Sequence, residues 1–142
     1  MASGNVVRKM LQQGIKSLAE GGGFDQHLSK IRVISGGAGK CMAELKIGEE
    51  HKNRGGNIHG GMTSLLVDMV STMALMTTER AVPGVSVELS VSFMKAAKVG
   101  EEILIDAETL RVGRNLAFLN VEITNKETGT IIATGKHTKY VG

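Results

Sequence analysis

Hydrophobic and polar positions divide this chain into a short series of regular elements. Val6, Val7, Met10, Leu11, Ile15 and Leu18 recur at helical spacing, with Arg8, Lys9 and Lys16 between them. That pattern predicts an amphipathic helix over 1–20 that packs on the domain rather than serving as a cleaved leader. The run Gly21-Gly22-Gly23 ends it, and Phe24 to Leu28 allows one more helical turn. Ile31 to Ser35 reads as a short strand and Gly36 to Gly39 as a turn. From Lys40 onward Cys41, Ala43, Leu45 and Ile47 alternate with Met42, Glu44 and Lys46, a second strand that closes a hairpin with the first. Val85, Val87, Leu89, Val91 and Phe93 alternate with Ser86, Glu88, Ser90 and Ser92 in a period of two. Strand patterns over 102–112, 115–124 and 130–140 follow, separated by Gly100, Gly113 and the turn NKETG. Connections this short predict an antiparallel meander.

Between the two groups of strands lies GGMTSLLVDMVSTMALMTT, from Gly60 to Thr78, in which Asp68 is the only charged residue. Met62, Leu65, Leu66, Val67, Met69, Val70, Met73, Leu75 and Met76 fall on every side of a helical wheel, so this helix is expected to be enclosed by other structure. A carboxylate buried halfway along it is costly and has its pKa raised, which makes Asp68 a candidate general base. The order of elements is helix, two strands, one long central helix, four strands. An α+β fold in which an antiparallel sheet curls around one central helix satisfies both periodicities, within a single domain spanning 1–142.

Composition narrows the chemistry mainly by exclusion. With 42% hydrophobic and 22% charged residues the chain is an ordinary globular one, and with three Phe, one Tyr and no Trp its core must be aliphatic. A single cysteine, Cys41, allows no internal disulfide and suits a reducing compartment. The net charge of +3 fits an anionic ligand, but Lys and Arg are interspersed with acids instead of clustered beside aromatics, so no nucleic-acid partner is implied. The one long weakly charged run contains Asp68 and six Ser or Thr residues, so no transmembrane segment is expected. GGAGKC lacks the glycine at 34 and the Ser or Thr at 41 of a phosphate loop, and GVSVE lacks the second glycine of a nucleophile elbow. His27, His51, His59 and His137 have no zinc spacing and read as solvated or structural.

What remains is the set Asn53, His59-Gly60-Gly61, Asp68 and Ser86. Glycines at a helix start leave backbone N–H groups unobstructed at the positive end of the helix dipole, where a developing oxyanion can be held. Asp68 lies eight residues beyond Gly60, about 12 Å along the helix axis. That is too far for a base that must work within a few ångströms of the same carbonyl. Two antiparallel copies of the helix would bring one chain's Asp68 to the other's Gly60 in a site shared across a two-fold dimer.

These residues, together with the segments EEHKNRGGNIHGGMTSLLVDMVSTMAL, TERAVPGVSVELSVSFMKAAKVGE, NLAF and IIATGKHTKYVG, give the chain a resemblance to the hotdog-fold acyl-CoA thioesterases over nearly its whole length. The resemblance implies hydrolysis of a fatty acyl-CoA to a free fatty acid and CoA, without metal, cofactor or covalent intermediate. By position it implies that Asn53 and the Gly60 N–H polarise the thioester carbonyl, that Asp68 activates water, that Ser86 holds that water, and that His59 supports the loop beside the thioester. Its CoA-contacting segments correspond to Phe93, Met94, Lys95, Ala96, Ala97 and Lys98, and to Arg111, Val112, Gly113, Arg114, Asn115 and Leu116, with Tyr140 against the adenine. The chain departs from one member of that family at Ala96, where that member has proline, and at Tyr140, where it has histidine. Read from the sequence, Lys95, Lys98, Arg111 and Arg114 cluster at strand ends where they could meet phosphates. A dimer of dimers in cytosol and mitochondria is the implied assembly and location. A hotdog dehydratase or hydratase, or a non-catalytic acyl-CoA-binding module, are the alternatives. The first would pair His59 with Asp68, and the second would have no need of Asp68.

Overall fold

The computed structural model describes residues 3–142. Helix α1 runs Gly4–Glu20, with the Ser3 hydroxyl accepting from the Val6 N–H at its start; Met1 and Ala2 of the expected 1–20 helix lie outside the described residues. Its apolar stripe buries Leu11, Ile15 and Ala19, and a 3-10 helix, Gly23–Leu28, follows. Strands β1 (Arg32–Gly37) and β2 (Lys40–Lys46) form the expected hairpin. Its two turn residues, Ala38 and Gly39, both have positive φ (53° and 81°), the twist that a two-residue hairpin turn requires. Helix α2 spans Gly60–Met76, and β3 (Val85–Phe93), β4 (Glu102–Val112), β5 (Leu116–Asn125) and β6 (Ile131–Tyr140) complete the chain.

All six strands form one antiparallel sheet in the order β1-β2-β4-β5-β6-β3. α2 lies against β2 through β6, so the sheet curls around it in the hotdog arrangement. The expected meander holds only for β4-β5-β6. β3 does not pair with β4; it crosses to the far side and pairs with β6, which leaves it as an edge strand. The physical reason is that β3 leads directly out of α2, and the helix has carried the chain to that side of the sheet.

Side chains of α2 and the inner face of the sheet make the main core, in which Leu45, Leu66, Val67, Val70, Ile103, Ile105 and Ile123 are enclosed, and Leu75, Ala117, Leu119 and Val141 make a smaller one. α2 comes so close to β6 that a Cβ at Gly135 would collide with the Val67 side chain. The helix is not enclosed on every side, however. Gly60, Gly61, Ser64 and Asp68 share an open stripe, and the Asp68 side chain is 36% exposed. The expectation of a buried Asp68 therefore fails within one chain, because the sheet covers the helix from one side and Asp68 lies at the margin of that cover.

Two imidazoles are buried instead. His51 accepts from the Gly48 N–H at Nδ1, and its Nε2 has no partner among the described residues. His137 projects from β6 into the α2 interface. Burial pushes both pKa values down, opposed by Glu50 at His51 and by Asp68 at His137.

Two outcomes follow for stability. Gly135→Ala should lower the unfolding free energy by about 1–3 kcal/mol, the range for forcing extra volume into a packed core, as read by urea denaturation. An unchanged midpoint would show that α2 can lift off β6 at no cost. For the histidines, the unfolded chain takes up protons near the ordinary value of 6.5 and the folded chain only at lower pH. In that window the unfolded state binds more protons, so stability should fall as pH drops below about 6.5 and level off below the folded values. Urea midpoints measured between about pH 7 and about pH 5.5 should decline, and His137→Gln should flatten the slope.

Candidate active site

The polar loop before α2 is held as a small hairpin. The Asn53 N–H donates to Asn57 O, His59 N–H to His51 O, and Ile58 N–H to Ala97 O. Asn53 Oδ1 accepts from the N–H groups of Gly55 (2.9 Å) and Asn57 (3.1 Å), which orients its amide nitrogen as a free donor. His59 caps α2, with Nδ1 accepting from the Gly61 N–H at 2.8 Å. Among the described residues no acceptor takes the Gly60 N–H. That N–H and the Asn53 amide open on one cleft of about 360 Å³, lined also by Phe93, Met94, Lys95 and Ala96. The cleft has two unspent donors at a helix N-terminus and no base, which suits it to hold a carbonyl oxygen.

Asp68 and Ser86 lie elsewhere, around His137. Two hydroxyls, Ser71 (3.0 Å) and Thr72 (2.8 Å), donate to the backbone carbonyl of Asp68 itself. Each receives a hydrogen bond from β6: His137 Nδ1 lies 2.8 Å from Ser71 Oγ, and Lys139 Nζ donates to Thr72 Oγ1 at 2.7 Å. Because the Ser71 proton is spent on the carbonyl, Nδ1 of His137 must carry the hydrogen. Burial keeps this imidazole neutral, so its Nε2 is an acceptor and takes the Ser86 O–H at 2.7 Å. Ser86 Oγ is then left with lone pairs facing outward. Nε2 is 3.8 Å from Asp68 Oδ1, too long for a hydrogen bond. Burial also pushes the Lys139 ammonium down, and the nearby Asp68 carboxylate opposes it. A carboxylate beside an accepting hydroxyl is suited to take one proton from a water and hold the other.

Ser86 reaches this face through a β-bulge. Ser86 pairs with Lys139 and Glu88 with Thr138, so the register shifts between them, and beyond the shift Leu89, Val91 and Phe93 oppose His137, Gly135 and Ala133. Opposed residues share a face. Ser86 therefore lies on the inner side with Leu89, Val91 and Phe93, whereas strict alternation assigned it to the other side with Ser90 and Ser92. His137 was read as solvated or structural; it is buried and joins Ser71 to Ser86. No motif marks it, and the only signal was an imidazole at an inward position of an alternating strand.

The expected CoA-contacting residues do not form one cluster within a chain. Phe93 to Lys98 leave the end of β3 beside the Gly60 cleft, where Ala97 is fully buried and the rest are exposed. Arg111 to Leu116 form the β4–β5 turn at the opposite end of the sheet, with Tyr140 opposed to Leu116. Arg80 clasps that turn by donating to Gly113 O, Arg114 O and Val141 O. The antiparallel register that puts the start of β4 at one end necessarily puts residue 111 at the other. Among the described residues no group of three or more His, Cys, Asp or Glu could hold a metal, and no helix is long and apolar enough to cross a membrane.

Comparisons with known proteins bear on the family and the fold. Human acyl-coenzyme A thioesterase 13 is 48% identical over 136 residues, 96% of this chain and 97% of its own length. The crystal structure of zebrafish thioesterase superfamily member 2 superposes with a TM-score of 0.93 at 51% identity, covering 95% of this chain and 98% of that one. The mouse thioesterase superfamily member 2 structure gives 0.90 at 44% identity with both chains covered in full. The family model of the thioesterase superfamily matches residues 55–132, a stretch that holds Gly60, Asp68 and Ser86. With that match and those near-complete likenesses, the chain belongs to the thioesterase superfamily.

Proposed function

We propose that this protein hydrolyses medium- to long-chain fatty acyl-CoA thioesters in a site shared by two copies of the chain. The observation that carries the reading is the division of labour within one chain. The carbonyl-holding donors of Asn53 and Gly60 open on one cleft, and the water-activating group of Asp68, Ser86 and His137 lies about 12 Å further along α2. The acyl-CoA substrate is supported by the human relative, whose name gives that activity.

An unpaired edge strand supplies the means of joining the two halves. Val85, Val87, Leu89 and Phe93 of β3 are all exposed, an apolar edge of the kind that proteins cover. Two β3 strands paired antiparallel about a two-fold axis set the Phe93 end of one copy beside the Val85 end of the other. Gly60 and Asn53 of one chain then face Asp68 and Ser86 of its partner. The same pairing brings Lys95 and Lys98 toward the other copy's Arg111 and Arg114, where four cations can meet the CoA phosphates. The family resemblance extends the assembly to a dimer of dimers and the location to cytosol and mitochondria.

The reaction runs through those groups. The Gly60 N–H and Asn53 amide polarise the thioester carbonyl. Asp68 takes a proton from a water whose other hydrogen is held by Ser86 Oγ, and the resulting hydroxide attacks the carbonyl carbon. The oxyanion collapses, the C–S bond breaks, and the CoA thiolate takes up the proton left on Asp68. His137 acts as a positioning residue that keeps the Ser86 hydroxyl turned to accept. His59 is committed to its cap through Nδ1, which disfavours a dehydratase that would use it as a base.

Asp68→Asn should lower turnover by at least about a hundredfold, the low end of a general base's contribution, with little change in KM and little loss of stability. Thiol release from an acyl-CoA series measures it, and near-normal turnover would remove Asp68 from the role. Asn53→Ala and Asp68→Ala should each be defective alone. Co-refolded as a mixed dimer, one site holds both lesions and the other holds neither, so part of the wild-type activity should return. Proven heterodimers that stay as inactive as their parents would place the site within one chain.

A further inference from the structure

The connection between α2 and β3 holds a strained residue that the chemistry above does not use. Among the described residues only Ala38 and Ala81 have positive φ without being glycine. Ala38 takes it to close the β1–β2 hairpin. Ala81 (φ 48°) lies between a helix and a strand, where no two-residue turn asks for it. A left-handed alanine is unfavourable and persists only where its surroundings hold it. The residue just before it is the one that is held.

Arg80 is exposed, yet its guanidinium is fixed at three points. Nη1 donates to Gly113 O at 3.3 Å, and Nη2 donates to Arg114 O at 3.0 Å and to Val141 O at 2.8 Å. Holding an exposed arginine still costs rotamer freedom. No carboxylate offsets it. Among the described residues no ion pair includes Arg80, Arg111 or Arg114. Three uncompensated guanidiniums therefore meet at the β4–β5 turn, and their mutual repulsion favours an anion there.

The clasp also orients the backbone of that turn. Val141 N–H donates to Asn115 O and Gly113 N–H to Leu116 O, both at 2.7 Å. With Arg80 on Gly113 O and Arg114 O, every carbonyl from Gly113 to Leu116 is taken. The N–H groups of Arg114 and Asn115 have no acceptor among the described residues. No peptide bond is cis, and a trans peptide sets its N–H opposite its C=O. The two carbonyls that Arg80 grips belong to the same peptides as these two N–H groups, so both N–H groups point away from Arg80. Successive free amides of this kind hold anions.

We propose that Arg80 is a positioning residue for nucleotide recognition: its fork turns the 113–115 backbone so that the N–H groups of Arg114 and Asn115 are presented to a phosphate of CoA. The phosphate's being that of CoA rests on the thioesterase reading, but the clasp can be tested by binding alone.

The probes are S-hexyl-CoA and S-hexyl-pantetheine, thioethers that cannot be hydrolysed and of which only the first carries phosphate. By calorimetry Arg80→Ala should weaken S-hexyl-CoA by about tenfold or more, the worth of one charged hydrogen bond, and change S-hexyl-pantetheine by less than about twofold. Arg80→Lys keeps the charge but not the fork, and should stay within about threefold of the Ala variant. Wild-type affinity in the Lys variant would show that charge alone acts and would overturn the positioning role. In proton–nitrogen correlation spectra the amides of Arg114 and Asn115 should move downfield when S-hexyl-CoA is added to the wild type, and not in Arg80→Ala. Unmoved amides in the wild-type complex would overturn the proposal. In turnover, Arg80→Ala should raise KM for dodecanoyl-CoA with kcat kept within about twofold, and leave dodecanoyl-pantetheine unchanged. An arginine that merely supports the fold would lower the thermal midpoint and impair both substrates alike, and that result too would overturn it. A wild-type protein that releases no thiol from any acyl-CoA, yet binds S-hexyl-CoA through these amides and loses it in Arg80→Ala, would refute the reaction and support the clasp. Hydrolysis of acyl-CoA by an Arg80→Ala variant with unchanged KM would do the reverse.

Discussion

A helix with apolar side chains on most of its circumference must be enclosed, and the enclosure of α2 by one curled sheet governs the rest of this molecule. The sheet can cover only the side it faces. Along the uncovered stripe the chain carries glycine, serine and aspartate instead of leucine and valine. The helix is thus both the centre of the core and one wall of the site, and displacing it from β6 would disturb both at once. Gly135 shows how tightly the two are joined, since no side chain fits between β6 and Val67.

Polar groups survive at that interface because each one's hydrogen bonds are assigned. The carbonyl of Asp68 takes two hydroxyls, the hydroxyls take an imidazole and an ammonium from β6, and the imidazole takes Ser86. Every donor points one way along this chain, from Ser86 toward the helix carbonyl. A half-satisfied network would cost more than an apolar core. Completed, it fixes the rotation of α2 about its axis and so fixes where the carboxylate of Asp68 points. Burial favours the neutral form of His137, in which Nε2 can accept the Ser86 hydroxyl.

Much of this was legible in the sequence, and the failures have identifiable causes. The elements, the hairpin turn, the central helix and the open N–H groups at Gly60 follow from periodicity and glycine placement, which are local, whereas the pairing of Asn53 with Gly60 came from the family resemblance. The strand order was not legible, because the crossover that carries β3 to β6 depends on where the helix ends in space. Nor was the face of Ser86: a one-residue bulge reverses the parity of a strand, and the alternating sequence of β3 looks the same with or without it. Asp68 was misjudged for a different reason. A helical wheel records which residues are apolar but not how much of the wheel the sheet can reach. His137 and Lys139 were invisible because their meaning comes from Ser71 and Thr72, more than sixty residues away.

The two ends of the sheet pose the remaining question, and the strand register answers it. Within one chain the Gly60 cleft lies at the end where β3 finishes and β4 begins, and Asp68, Ser86 and the 111–116 turn lie at the other. Along α2, Gly60 and Asp68 stand about 12 Å apart, farther than a base can be from the carbonyl it serves. On the proposed reading, a single chain carries both halves of the site and holds them apart. The β3 edge, where Val85, Val87, Leu89 and Phe93 are exposed, runs between the two halves, and in the proposed dimer an antiparallel copy of the same strand brings opposite ends together. On the proposed assembly, strand pairing and catalysis are consequences of one contact, so a substitution that weakened the β3 edge would lower activity without touching any group that meets the substrate.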